Sequence, residues 1–363
     1  INCQKEGGRV YFPCKDHPSD EPNEGVDMFI TVPENLVVAG PGLLKDVVKK
    51  KNKKTYHWKT NYTISNYCTV FNIGKYAVVS KDYTTIDGTV VPIQFYVLEE
   101  DSSFAPKIIE LKARDTKILE KYFGEYPWAK EKIGIAAVPN SGMEHQTMIT
   151  FQNKFNYTKI GVHDYSANLY HEYGHEWFAN KVTNKDWAHM WIQEGITTYS
   201  EALIHYELGG QEAYDEIISR HKRNTRNKKP MVGGEELSEE EAYAGRDIYA
   251  KGSFFMHSLR YVLGDEIFLP TLKKLATDPR YTYDNFVTTK DVEELFSTES
   301  KQDLKPFFNF YVYTNEVLDI SVKEVGYQKY QITLNNFFMP LPLDIGPADK
   351  STRTMIGKEG IVV

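Results

Sequence analysis

His171-Glu172-Tyr173-Gly174-His175 is followed, after eighteen intervening residues, by Glu194 in Trp191-Ile192-Gln193-Glu194-Gly195. On a helix, side chains four residues apart stand one above the other on the same face, so both imidazoles reach one ion while Glu172 lies beside them. Two neutral imidazoles and a carboxylate fill three tetrahedral positions of zinc and leave the fourth open, which is the pattern of a catalytic rather than a structural site. The spacing predicts one Zn2+ per chain on His171, His175 and Glu194, and metal-assisted hydrolysis as the chemistry. Helix entry is expected near Asp164 or Ser166, both suitable caps. Beyond the motif, Trp177, Phe178 and Val182 recur at spacings that extend a buried amphipathic helix.

Before this segment the pattern is of another kind. From Val10 to about Leu98, runs such as Met28 to Val32, Tyr76 to Ser80 and Val90 to Val97 are bounded by turn residues, with Asp87-Gly88 a strong hairpin signal. From about Ser102 the period becomes helical: Ile108, Ile109, Leu111, Ile118, Leu119, Tyr122 and Phe123 recur until Gly124. A short strand over 133–138 leads into Ser141-Gly142-Met143-Glu144-His145. A second helix is expected from about Ile192 to Leu208, with further helices from Gln211. Arg223 to Glu241 reads as a surface loop leading into a new helix, and alternation returns at Tyr327 to Leu334.

The 363 residues suffice for two or three domains, and 41% hydrophobic with 26% charged residues is ordinary for a globular protein. A formal charge of -7 argues against a nucleic-acid partner, since phosphate binding needs a basic face. The Lys-rich stretch Lys45 to Lys54 reads as a solvated loop or a strand edge. No run of eighteen apolar residues offers a transmembrane helix. Cys3, Cys14 and Cys68 define no disulfide framework, and a Cys3–Cys14 bridge and free thiols both stay open. Asn61-Tyr62-Thr63 and Asn156-Tyr157-Thr158 match the glycosylation pattern, a weak signal. The chain does not begin with Met, so the expectation is that it starts inside a longer protein; the compartment is left open among cytoplasmic, periplasmic and extracellular.

Hydrolysis of an amide at zinc needs a base for the attacking water and a donor for the tetrahedral oxyanion. Glu172, beside a ligand yet turned from it, is the natural base. A phenol suits the oxyanion, because it donates a hydrogen bond and stays neutral at pH 7. Spacing alone does not choose among 25 Tyr. Glu201, seven residues after Glu194, is either a partner orienting an imidazole or a solvated helix carboxylate.

The stretch from His171 through Asp186-Trp187 to Gly195 closely resembles the zinc aminopeptidases of the aminopeptidase N and leukotriene hydrolase family, a group of gluzincin metallopeptidases. Ser141 to His145 stands where that family has Gly-x-Met-Glu-Asn, and Tyr249-Ala250-Lys251-Gly252 resembles its Tyr-x-Lys-Gly segment. The resemblance implies His171, His175 and Glu194 as ligands, Glu172 as general base and Tyr249 as oxyanion stabiliser. It implies that Glu144 grips the free α-amine of a peptide, that Gln4 helps hold the same amine, and that Gly142 and Met143 lie against the substrate. Ser141 and His145 depart from the motif, which puts substrate preference in doubt rather than hydrolysis. The implied fold is α+β and multidomain. A mainly α-helical, thermolysin-like catalytic domain (99–317) is flanked by part of an N-terminal β-saddle domain (1–98) and by a short C-terminal β segment (318–363). The implied activity is release of neutral or apolar N-terminal amino acids from peptides with a free N-terminus. A thermolysin-like endopeptidase and a non-catalytic peptide-binding member are the alternatives.

Overall fold

Two strands rich in β-branched and aromatic residues, Tyr76–Thr84 and Val90–Leu98, pair antiparallel across the Asp87-Gly88 turn. Val90–Leu98 then pairs parallel with Ile133–Val138, which pairs parallel with Ile149–Gln152. This is the central sheet of a computed structural model that describes residues 7–152, 154–347 and 350–363. All six residues of Ile133–Val138 are buried, as a strand covered on both faces requires. Alternation along the strands divides them between two cores. Phe95, Val97, Ile133, Ile135 and Ala137 join the large helical core, whereas Tyr96 and Ala136 join a smaller one with Trp58, Val38 and Met148.

The smaller core is roofed by an antiparallel sheet in which Lys53–Lys59 lies between Asp27–Pro33 and Leu43–Lys50. Leu43–Lys50 is one of the two edge strands, so Lys45, Lys49 and Lys50 lie on a strand edge, where charge discourages pairing with another chain, while Lys53 and Lys54 begin the central strand. The central sheet crosses the boundary drawn from sequence at residue 98. Tyr76–Thr84 and Val90–Leu98 share a sheet with strands from the far side of a helix, in a β-α-β unit that only long-range pairing reveals.

That helix, α1 (Ala105–Phe123), ends at Gly124, whose φ of 83° suits glycine. The metal-motif helix α2 (Ala167–Gly174) begins after Ser166, which occupies the N-cap position without making a side-chain cap bond. The expected continuation through Trp177, Phe178 and Val182 does not form. After His175 the chain runs through buried turns, held by Glu176, which accepts from Trp128 Nε1 at 2.6 Å, Thr147 N at 2.9 Å, Asn180 Nδ2 at 3.2 Å and the Tyr126 hydroxyl at 3.3 Å. Those four donors satisfy a carboxylate that a continued helix would leave alone in the core.

α3 (Met190–Asn224) carries Glu194 and is broken at Gly210 (φ 70°, ψ -163°), close to the expected helix end near Leu208. There follow α4 (Glu239–Tyr243), α5 (Ala250–Leu263), α6 (Asp265–Thr277), α7 (Thr289–Ser300) and α8 (Lys305–Tyr313). The C-terminal part is β: Lys329–Leu334 lies between Ile320–Gly326 and Ile361–Val362, and Leu341–Ile345 pairs with Thr352–Ile356. A mainly helical unit between β parts is the α+β architecture expected. Among the described residues no helix is long and apolar enough to cross a membrane.

Candidate metal centre and active site

α2 presents His171 and His175 from successive turns, and their Nε2 atoms lie 3.1 Å apart. Glu194 Oε2 stands 3.6 Å from the first and 3.3 Å from the second. The opposite side of each ring is occupied. His175 Nδ1 donates to the carbonyl of Phe178 at 2.9 Å, in the turn that replaces the expected helix. His171 Nδ1 lies 2.9 Å from Glu201 Oε1. Burial works against the ionised form of Glu201, but the contact with His171, joined by the charges of His221 and Arg220, outweighs it and lowers the carboxyl below its ordinary range. Glu201 is therefore the acceptor and orients the ring.

In neutral rings with the proton on Nδ1, where Glu201 and the Phe178 carbonyl can accept it, the two Nε2 atoms present lone pairs to each other and to a carboxylate oxygen. Three acceptors within 4.8 Å of one another repel unless a cation lies between them. Two imidazoles and one carboxylate form a donor set that suits zinc with one position open, so these residues fit the ion that the sequence implied.

α3 and α5 set the opposite side of the site. A Cβ on Gly195 would come 2.8 Å from the Gly252 Cα, and one on Gly252 would come 2.7 Å from the Gly195 Cα. The helices thus meet backbone to backbone, one residue after Glu194 and three after Tyr249. Tyr249 stands at the N-cap of α5, its ring 6.0 Å from that of His171 and 6.2 Å from that of Tyr243. The Tyr243 hydroxyl donates to Glu194 Oε1 at 2.9 Å, steadying the carboxylate whose other oxygen faces the imidazoles.

A cavity of about 350 Å³ is lined by His171, Glu172, His175 and Glu194, by Ser141 to Glu144, and by Glu239, Tyr243 and Tyr249. Glu172 is buried, and Asn168 Nδ2 donates to its Oε1 at 3.0 Å. Burial, joined by the nearby charge of Glu144, pushes its pKa up to about 7 against the pull of His171 and His175. Gly142 leaves no room for a side chain, since a Cβ would come 2.7 Å from Glu172 Cγ and 2.8 Å from the Thr150 carbonyl. Its bareness therefore serves close packing against Glu172. Met143 pairs with Thr150 through N to O contacts of 3.3 and 2.9 Å, extending the sheet to the cavity rim.

Glu144 is buried, with its Oε1 accepting from the Tyr67 hydroxyl at 3.0 Å and from Gln193 Nε2 at 3.2 Å. The structure thus gathers His171, Glu172, His175, Glu194, Gly142, Met143, Glu144 and Tyr249 around one cavity; Gln4 and Cys3 lie outside the described residues. Sequence reasoning missed Asn168, Gln193, Tyr243, Glu239 and Tyr67. Asn168 carried a local signal, standing one helical turn before Glu172, and Gln193 adjoins a ligand. Tyr67 carried none.

The model of the peptidase family M1 domain matches residues 109–311. The tricorn protease-interacting factor F2 of Thermoplasma acidophilum is 23% identical over 94% of this chain and 45% of its own length. The mitochondrial aminopeptidase 2 of Saccharomyces cerevisiae is 24% identical over 95% of this chain and 37% of its own. The chain therefore spans less than half the length of these two relatives. The crystal structure of an M1 zinc metallopeptidase from Deinococcus radiodurans superposes with a TM-score of 0.72 over 90% of this chain and 71% of that one. At 22% identity this last likeness is one of fold. The matched segment covers more than half of the sequence and includes every member of the metal triad, and on that ground the chain belongs to peptidase family M1.

Proposed function

We propose that this chain carries the catalytic centre of a zinc aminopeptidase, which hydrolyses the first peptide bond of peptides with a free N-terminus. His171, His175 and Glu194 hold one Zn2+ per chain. Bound there, the ion supplies Lewis-acid polarisation of the scissile carbonyl and of the attacking water. Glu172 takes the proton from that water and returns it to the leaving amine, a role its burial and its bond from Asn168 support. Tyr249 donates a hydrogen bond to the oxyanion from across the cavity. Glu144 binds the α-ammonium, and Gln4 joins it in that role. Gly142 and Met143 line the substrate at the sheet edge, where Met143 offers the apolar contact expected for a neutral or apolar first residue. The helical unit is proposed to begin near residue 75, where the central sheet starts, and to give way to the C-terminal β part near residue 318.

The observation that carries this reading is Glu144 itself. A buried, anchored carboxylate on the wall of the metal cavity gives a charge-assisted bond to a substrate α-ammonium, which only the first residue of a peptide has. Acetylating that amine removes the charge and adds bulk beside a buried anion. Cleavage of an Nα-acetylated peptide should fall at least a hundredfold below that of the free peptide. Equal rates for the two would leave a thermolysin-like endopeptidase as the better description. The same assay with leucine and arginine arylamides reads the preference for the first residue.

A further inference from the structure

Glu144 takes part of its orientation from outside the catalytic helices. Tyr67 sits in a single turn, Asn66–Cys68, contributed by the N-terminal β part. Its neighbours are pinned on several sides: Asn66 Nδ2 donates to the carbonyls of Lys15 and Asp20 at 3.0 Å each, and the Tyr11 hydroxyl donates to the Thr69 carbonyl. From the catalytic side, Gln146 Nε2 reaches the Thr63 carbonyl at 2.9 Å. Ile64, Tyr67 and Cys68 form a small core of their own, against which Met143 packs. The Glu144 backbone is held too, its carbonyl accepting from Asn180 Nδ2 at 2.8 Å.

We propose that Tyr67 is a positioning residue for amine recognition: with Gln193 it fixes the plane of the Glu144 carboxylate, so that the N-terminal β part sets how the catalytic cavity receives a substrate ammonium. The proposal rests on the reading of Glu144 as the amine-binding group. The terminal torsion of a glutamate is broad, so an unanchored carboxylate would sweep a range of orientations. Two donors converging on one oxygen, one from each side of the chain's main division, remove that freedom. Both donors are neutral, so they orient the carboxylate without cancelling the charge an ammonium needs. Burial holds the Tyr67 phenol well above its usual pKa, which keeps it a donor. Gln193 adjoins the ligand Glu194 on α3, so the carboxylate is referenced to the metal triad as well as to the β part.

Tyr67→Phe keeps the ring and removes the donor. It should lower kcat/KM for a free leucine arylamide about tenfold, mainly through KM, and shrink the discrimination against the Nα-acetylated compound by the same factor. On an inactive Glu172→Gln background, calorimetry should show L-leucinamide binding weakened about tenfold by Tyr67→Phe and acetyl-leucinamide unchanged. Zinc content should stay at one per chain. In a Glu144→Ala background, Tyr67→Phe should change discrimination no further. If Glu144→Ala abolishes discrimination while Tyr67→Phe leaves both discrimination and leucinamide affinity intact, the positioning role is overturned and the reading of Glu144 stands. If Glu144→Ala leaves discrimination intact, the reading of Glu144 falls and the proposal with it. Should Tyr67→Phe not fold, Gln193→Met removes the second donor to the same oxygen and must reproduce the loss of discrimination; an unchanged ratio there overturns the proposal equally.

Discussion

Glu172 and Glu194 are buried carboxylates on one cavity, yet they are anchored in different ways. Glu194 meets both imidazoles through one oxygen and the Tyr243 phenol through the other, whereas Glu172 is steadied by an amide on its own helix. The first arrangement suits a ligand and the second suits a group that must exchange a proton. Glu172→Gln should therefore retain stoichiometric zinc while lowering turnover about a thousandfold; metal analysis beside single-substrate kinetics checks both halves, and loss of metal would overturn the assignment. His171 and His175 were legible in sequence because helical geometry places residues four apart on one face, and Glu172 and Glu194 because they complete the motif at its expected spacing. Tyr67 and Tyr243 were not, since their partners stand 77 and 49 positions away and only the fold brings them near.

Between elements, α3 and α5 are also joined by His221, buried on the last turns of α3, whose Nδ1 lies 2.8 Å from Ser253 Oγ. Burial, with Arg220 and His205 adding to it against the pull of Glu201, lowers the His221 pKa from 6.5 to about 4. The unfolded chain then binds more protons than the folded one between those values, so stability is lost as pH falls from about 6.5 to 4 and is fully present above. His221→Gln should flatten the decline of unfolding free energy across that window by an amount on the order of 2–3 kcal/mol, checked by thermal unfolding followed at several pH values. The run after His175 shows where periodicity misleads. Trp177, Phe178 and Val182 are fully buried, as their spacing suggested, but Trp177 lies in a turn and Phe178 and Val182 bridge to each other outside any helix. Apolar spacing reports which side chains leave water and not the backbone path, which here turns where Glu176 meets its donors.

Across the whole molecule, the two cores are riveted by Lys132, just before Ile133–Val138. Its buried ammonium donates to the carbonyls of Gly40 and Gly42 and lies 4.8 Å from the Trp58 ring. Lys132→Met keeps the stem and leaves both carbonyls without that donor, so it should cost about 2–4 kcal/mol, readable as a shift in urea midpoint. The chain's division was harder to read than its elements. Alternating and helical periods change near residue 98, but the parallel partner of Val90–Leu98 arrives only after α1, and a local pattern carries no record of a parallel pairing. The contact of Gly195 with Gly252 has a consequence at this same scale. Only Cα atoms separate the helices there, so the gap between the carboxylate of one and the phenol of the other is gauged by the thickness of the polypeptide backbone. It works as a mechanical stop: the two backbones already touch there, so the helices come no closer, and a side chain added at either glycine would wedge the carboxylate and the phenol apart.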